Sequence, residues 1–139
     1  VAQRTEDYKS GFYKSGGGVV SPLPDDAPRF VKDYYAYYKT PRGYHKRSLN
    51  SNNGWNVTSN LPFLNFKFFD YADELESAVM IVHGDKAHSF YFGKDTYALL
   101  KGDNKEFVVV AGANHTDLYD GLSVIPFDKI ESFFNENLK

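Results

Sequence analysis

The rhythm of hydrophobic positions changes near residue 70. Downstream, Ala78-Val79-Met80-Ile81-Val82 is a continuous apolar run ending in His83-Gly84, and Phe107-Val108-Val109-Val110-Ala111 repeats it, ending in Gly112. Short apolar runs stopped by glycine predict strands, here at 78–83 and 106–111, buried on both faces. Between them Tyr97, Leu99 and Leu100 mark a helix closed by Gly102. Strand, helix, strand with buried strands implies a right-handed parallel crossover. Pro126 then opens a helix whose Ile130, Phe133, Phe134 and Leu138 share one face.

Upstream the pattern is looser. Residues 1–15 are polar with scattered aromatics, and Gly16-Gly17-Gly18 and Ser21-Pro22-Leu23-Pro24 follow, so this stretch reads as loop. Asp25 and Asp26 before Ala27-Pro28 supply an N-cap and a helix-start proline, and Phe30, Tyr34, Tyr37 and Tyr38 recur at helical spacing until Pro41 and Gly43. An aromatic-faced helix is expected at about 27–39. Residues 41–60 are rich in turn formers and predict a long irregular segment with one short helix. Residues 61–69 are too apolar for solvent and too broken by proline and asparagine for one clean helix. The expectation is one α/β unit over 1–139, with an aromatic helical and loop region at 1–70 and a β-α-β-α core at 71–139.

Composition narrows the function classes. A chain of 139 residues with 42% hydrophobic and 24% charged content is a globular domain, neither disordered nor fibrous. Aromatics make up 17% of it, which points to aromatic-walled cores, pockets or interfaces. With no cysteine, disulfides, thiolate zinc sites and cysteine nucleophiles are excluded. A net charge of −2 provides no global field to attract nucleic acid or an anionic membrane, and no apolar run approaches the roughly 18 residues that span a bilayer. Nor do the first twenty residues carry a signal-peptide core, so a cytoplasmic location is expected.

In open parallel sheets, chemistry gathers at the carboxyl ends of the strands. Two histidine-bearing turns sit there: His83-Gly84-Asp85-Lys86-Ala87-His88-Ser89 and Gly112-Ala113-Asn114-His115-Thr116-Asp117-Leu118-Tyr119-Asp120. A histidine in such a turn is placed to act as a general base near neutral pH. His83, at the end of its apolar run, reads as a strand-end residue bonded to backbone. His83, Asp85 and His88 lack a defined metal-ligand spacing, so no metal and no cofactor are expected. Residues 34–47 interleave aromatics with Lys39, Arg42, Lys46 and Arg47, the ingredients of a nucleic-acid platform. The net acidity favours instead a packed aromatic helix with its bases toward water.

Together the two turns, with Tyr91-Phe92 and the segment Tyr38-Lys39-Thr40-Pro41-Arg42-Gly43-Tyr44-His45, resemble the YcjY-like branch of the dienelactone-hydrolase-like enzymes, within the α/β-hydrolase fold. The resemblance covers the carboxyl-terminal half of that fold. It implies that His115 is the triad base. It puts His88, or Asp85 three residues earlier, at the position of the triad acid. It also implies a covering insertion whose Tyr38, Tyr44 and Trp55, with Phe92, line an acyl-substrate pocket. No G-x-S-x-G nucleophile turn is present; Gly121-Leu122-Ser123 is followed by Val124-Ile125. The nucleophile is therefore expected from elsewhere. The implied partners are the amino-terminal half of the same hydrolase, or a second copy of the chain pairing strand edges, and a small acyl substrate. The implied function is the histidine-bearing part of a serine hydrolase acting on an ester, lactone or related acyl bond. The alternative is a non-catalytic interaction module that keeps half of the fold.

Overall fold

A computed structural model describes residues 1–138, which form two compact units, Val1–Lys67 and a second that begins at Phe68. The division falls three residues before the change of hydrophobic rhythm at residue 70.

The first unit holds α1 (Ala2–Ser10), α2 (Arg29–Tyr38), α3 (Leu49–Asn53) and α4 (Asn60–Asn65), with a 3-10 turn at Val57–Ser59. Helix α1 corrects the expectation of a loop over 1–15. Its sequence is polar all round, so it carries no apolar period to detect. What anchors it is Asp7, only 2% exposed. The Asp7 Oδ1 accepts from Gln3 Nε2 at 2.8 Å and from the Lys14 backbone N–H at 3.4 Å, and Gly11 ends the helix at φ 67°. Helix α2 lies within the expected span, but Pro28 occupies its N-cap rather than either aspartate. Along it Tyr34 and Tyr38 are 6.2 Å apart and Tyr37 meets Tyr38 edge-on at 5.0 Å. Backbone pairing does much of the joining in this unit. Ser15 bridges to Asn56 and Gly17 to Gly54, Val19 N–H donates to the Ser51 carbonyl, and Lys39 Nζ donates to the same oxygen at 2.8 Å. Gly54, at φ 90°, lies so close to the Gly17 carbonyl that no Cβ fits.

The second unit contains a 3-10 turn at Ala72–Glu74, β1 (Val79–Gly84), α5 (Phe90–Leu99), β2 (Lys105–Val110), α6 (Asp117–Asp120) and α7 (Phe127–Asn137). The strands pair in parallel from Val79 opposite Lys105 to Gly84 opposite Val110. The expected β-α-β-α order is present, each strand displaced by one residue. Helix α5 packs on the sheet through an aromatic stack: Phe90 and Tyr97 lie on Phe107 at centroid distances of 5.9 and 5.5 Å. Before β1, the chain is fastened by buried Lys105, whose ammonium donates to the Leu75 carbonyl at 2.7 Å and to that of Ser77. Asn104 adds a bond to the Glu76 carbonyl at 2.8 Å. These bonds satisfy a lysine that burial would otherwise penalise.

Burial of the strands on both faces is not observed. Residues 79–83 are only half-buried and Val109 is 47% exposed. The reason is topological: the sheet has two strands, so each has one neighbour among the described residues. Hydrophobic content alone does not supply the second neighbour.

At the carboxyl end of the sheet the two turns are locked together. The Asp85 N–H donates to the Val110 carbonyl at 3.2 Å, Lys86 N–H to Ala113 carbonyl at 3.0 Å, and Gly112 N–H to Asp85 Oδ1 at 2.7 Å. Gly84 is buried against the Ala113 carbonyl, where a Cβ would collide with backbone that has no room to yield. Gly84→Ala should therefore destabilise the second unit by about 2 to 3 kcal/mol, read as a lower urea midpoint with unchanged slope. A midpoint within error of the parent would show that this approach is not tight.

Candidate functional site

His115 lies five residues beyond β2, in the turn that leads into α6. The chain before it is buried, Ala113 at 3% and Asn114 at 9% exposure, and Thr116 after it is fully buried. Asn114 organises the turn. Its Oδ1 accepts from the Thr116 N–H at 2.9 Å, the Thr116 hydroxyl at 3.0 Å and the Asp117 N–H at 3.1 Å. Asp117 Oδ2 answers by accepting the Asn114 N–H at 2.9 Å. This is a side-chain to backbone turn closed from both ends, and it leads into α6, whose N-cap is Thr116. His115 is thus held between residues that cannot move independently, with its own side chain half-buried.

The imidazole is contacted from the β1 turn. Ser89 Oγ is 3.2 Å from His115 Nδ1. The His88 ring lies 6.2 Å from it, centroid to centroid, and Tyr119 presents an edge at 5.4 Å. Burial pushes the His115 pKa below the ordinary histidine value, and repulsion from His88 and then His83 adds to the shift. The imidazole is therefore neutral, and able to accept a proton, at pH 7.

The residues singled out from the sequence divide as follows. His115 and His88 are brought together. Asp85 belongs to the same end of the sheet, but its carboxylate accepts the Gly112 N–H and its second oxygen is 3.7 Å from Lys86 Nζ. His83 Nδ1 faces the Gly84 carbonyl at 3.2 Å, which makes that nitrogen the donor, and its ring rests against Phe90. Among the expected pocket residues, Phe92 is 56% exposed and lies against Tyr91 at 4.1 Å in the second unit. Tyr38, Tyr44 and Trp55 belong to the first unit, where Tyr38 is half-buried and the other two are more than half exposed. Arg42 of the basic aromatic segment sits over the Tyr37 ring at 5.3 Å. No group of acidic and histidine side chains able to hold a metal occurs among the described residues. A cleft of about 530 Å³ between β2 and α7, floored by Val108 and Val109, contains none of the candidate site residues. No described helix is long and apolar enough to cross a membrane.

Ser89, Asn114, Thr116 and Asp117 received no role from the sequence. The Asn-x-Thr-Asp order of 114–117 carries the signature of an Asx turn and could have been read as such. Nothing local marks Ser89, because its partner is 26 residues away.

No protein-family model matches the chain. It is similar to the uncharacterized protein PA2218 of Pseudomonas aeruginosa, 46% identical over 98% of this chain and 36% of that protein. It is also similar to the uncharacterized protein YcjY of Escherichia coli K12, 29% identical over 97% of this chain and 44% of that protein. The crystal structure of hypothetical protein PA2218 superposes with a TM-score of 0.88 at 40% identity, covering 98% of this chain and 42% of that one. The α/β arrangement is thus one found in a solved structure. The chain spans less than half the length of the relatives it matches.

His88→Ala should raise the His115 pKa without restoring the ordinary value, because burial is the larger cause and remains. An NMR titration of the histidine ring protons checks this. A pKa that stays put on removal of His88 would show that the two rings do not interact.

Proposed function

We propose that this chain supplies the general base of a serine hydrolase acting on an ester, lactone or related acyl bond. The observation that carries the proposal is His115: a half-buried imidazole in a hydrogen-bonded turn after a parallel strand, with Nδ1 3.2 Å from the Ser89 hydroxyl. A base needs its lone pair on one nitrogen and an orienting bond on the other. With Nδ1 engaged, Nε2 takes the proton of a serine hydroxyl as it attacks the acyl carbon and returns that proton to the leaving oxygen. The fall in pKa keeps the base unprotonated at neutral pH, at the cost of a weaker base.

In this reading the nucleophile comes from outside residues 1–139, and so do the strands that cover the sheet. Exposed apolar surface supports that. Phe63, Leu64 and Phe66 of the first unit are 68% to 84% exposed, and Phe68 and Tyr71 of the second are 68% and 70% exposed. Surface of this kind marks interfaces. The partner is the remainder of the hydrolase or, failing that, a second copy joined at strand edges. The acyl group is recognised by aromatic side chains, and Phe92 is the candidate in the unit that holds His115.

Two experiments test the proposal. The 139-residue chain alone should hydrolyse p-nitrophenyl acetate no faster than the same concentration of free imidazole, since a base without nucleophile or oxyanion hole retains little rate enhancement. The assembled protein containing it should be labelled on serine by a fluorophosphonate, and His115→Ala should slow that labelling by about 10³-fold or more. Absence of labelling in a folded assembly would favour the interaction module.

Sedimentation of the chain at micromolar concentration should show a complex or self-association burying more than about 2,000 Å². A cooperative, well-folded monomer would contradict the need for a partner.

A further inference from the structure

The identity of the group that orients His115 is open among the residues read from the sequence, and the contacts at the imidazole decide between them. A triad acid does two things: it bonds Nδ1, and its negative charge favours the imidazolium. Asp85 places its carboxylate on the Gly112 N–H, where it ties the two turns together. His88 is a like-charged neighbour when protonated, so it disfavours the imidazolium, the reverse of an acid's effect. Ser89 places its hydroxyl at hydrogen-bond distance, 3.2 Å, from Nδ1. Its position also indicates use: Ser89 occupies the N-cap of the ten-residue helix α5, a place where a serine hydroxyl ordinarily accepts a helix N–H, yet it makes no capping bond. The hydroxyl turns to the imidazole instead.

We infer that Ser89 is the positioning residue of His115, a neutral hydroxyl standing where a triad carries its carboxylate. Its catalytic meaning rests on the hydrolase reading, but the contact itself does not. A hydroxyl both donates and accepts, so it orients the ring without fixing the proton on Nδ1 as a carboxylate does. When Nε2 takes a proton, the hydroxyl can still accept from Nδ1–H, with no full charge to stabilise the cation. Ser89 therefore gives orientation at low electrostatic gain, in keeping with the downward shift of the His115 pKa.

Two-bond proton–nitrogen NMR spectra of the histidine rings in the 139-residue chain, recorded at pH 8.5, report which ring nitrogen carries the proton. Ser89→Ala should change the Nδ1 signal and the proton distribution of His115, while the amide signals of Asn114 and Thr116 stay in place. Ser89→Thr should preserve the parent signature. Ser89→Asp should move the proton to Nδ1 and raise the His115 pKa by about one unit. An unchanged Nδ1 signal in folded Ser89→Ala overturns the assignment. If that variant does not fold, an unchanged pKa in Ser89→Asp does the same. A fluorophosphonate adduct on Ser89 would also overturn it, by making Ser89 a nucleophile. These readouts are independent of turnover. Loss of the NMR effect removes the positioning role and the orienting bond cited for the base, and the hydrolase reading then stands or falls on serine labelling of the assembled protein. Absence of serine labelling in the assembled protein, with the NMR effect present, removes the hydrolase reading and leaves the Ser89 contact established.

Discussion

The junction between the β1 and β2 turns is the constraint on which the site depends. The Asp85, Lys86 and Gly112 N–H groups cross it, and Gly84 has no side chain because the Ala113 carbonyl occupies that space. A parallel pair of strands fixes only the register along the sheet. Those bonds carry the register past the last pair, Gly84 and Val110, and so set where the two loops lie relative to each other. Ser89 and His115 can meet only because of that. The 3.2 Å contact between them is thus a consequence of backbone hydrogen bonding several residues upstream.

Rigidity at His115 has a second source in the Asn114 turn. Three donors converge on a single amide oxygen, and Thr116 is fully buried, so the polar groups that would soften the loop are satisfied inside it. The residues that stabilise this turn are also those that hold the imidazole in place. A substitution at Asn114 or Thr116 acts on the imidazole through the backbone rather than through contact with any substrate. Asp85 belongs to this group too: a carboxylate near a histidine is a natural candidate for an acid, but the nearest demand on it is structural.

The second half was the more legible in sequence, and the reason is physical. Two glycine-stopped apolar runs and a proline-started helix are local signals, and the structure places β1, β2 and α7 within a residue or two of them. The two histidine-bearing turns were legible because their position relative to a strand is a matter of counting, whereas the choice of His115 as base came from the family resemblance. What escaped was non-local or polar. Helix α1 depends on one buried aspartate, and polar helices have no hydrophobic period to announce them. Ser89 acquires its role from a residue 26 positions on. The predicted burial of both strand faces assumed neighbours that a two-stranded sheet does not have, and Val109 remains on the surface.

The central claim is that His115 acts on a serine nucleophile brought by the rest of the assembled protein. A crystal structure of that assembly after reaction with a fluorophosphonate tests it most directly. The account predicts a phosphonylated serine outside residues 1–139, with its Oγ within about 3 to 3.5 Å of His115 Nε2. An adduct remote from His115, or an imidazole whose Nε2 faces backbone instead, would contradict it.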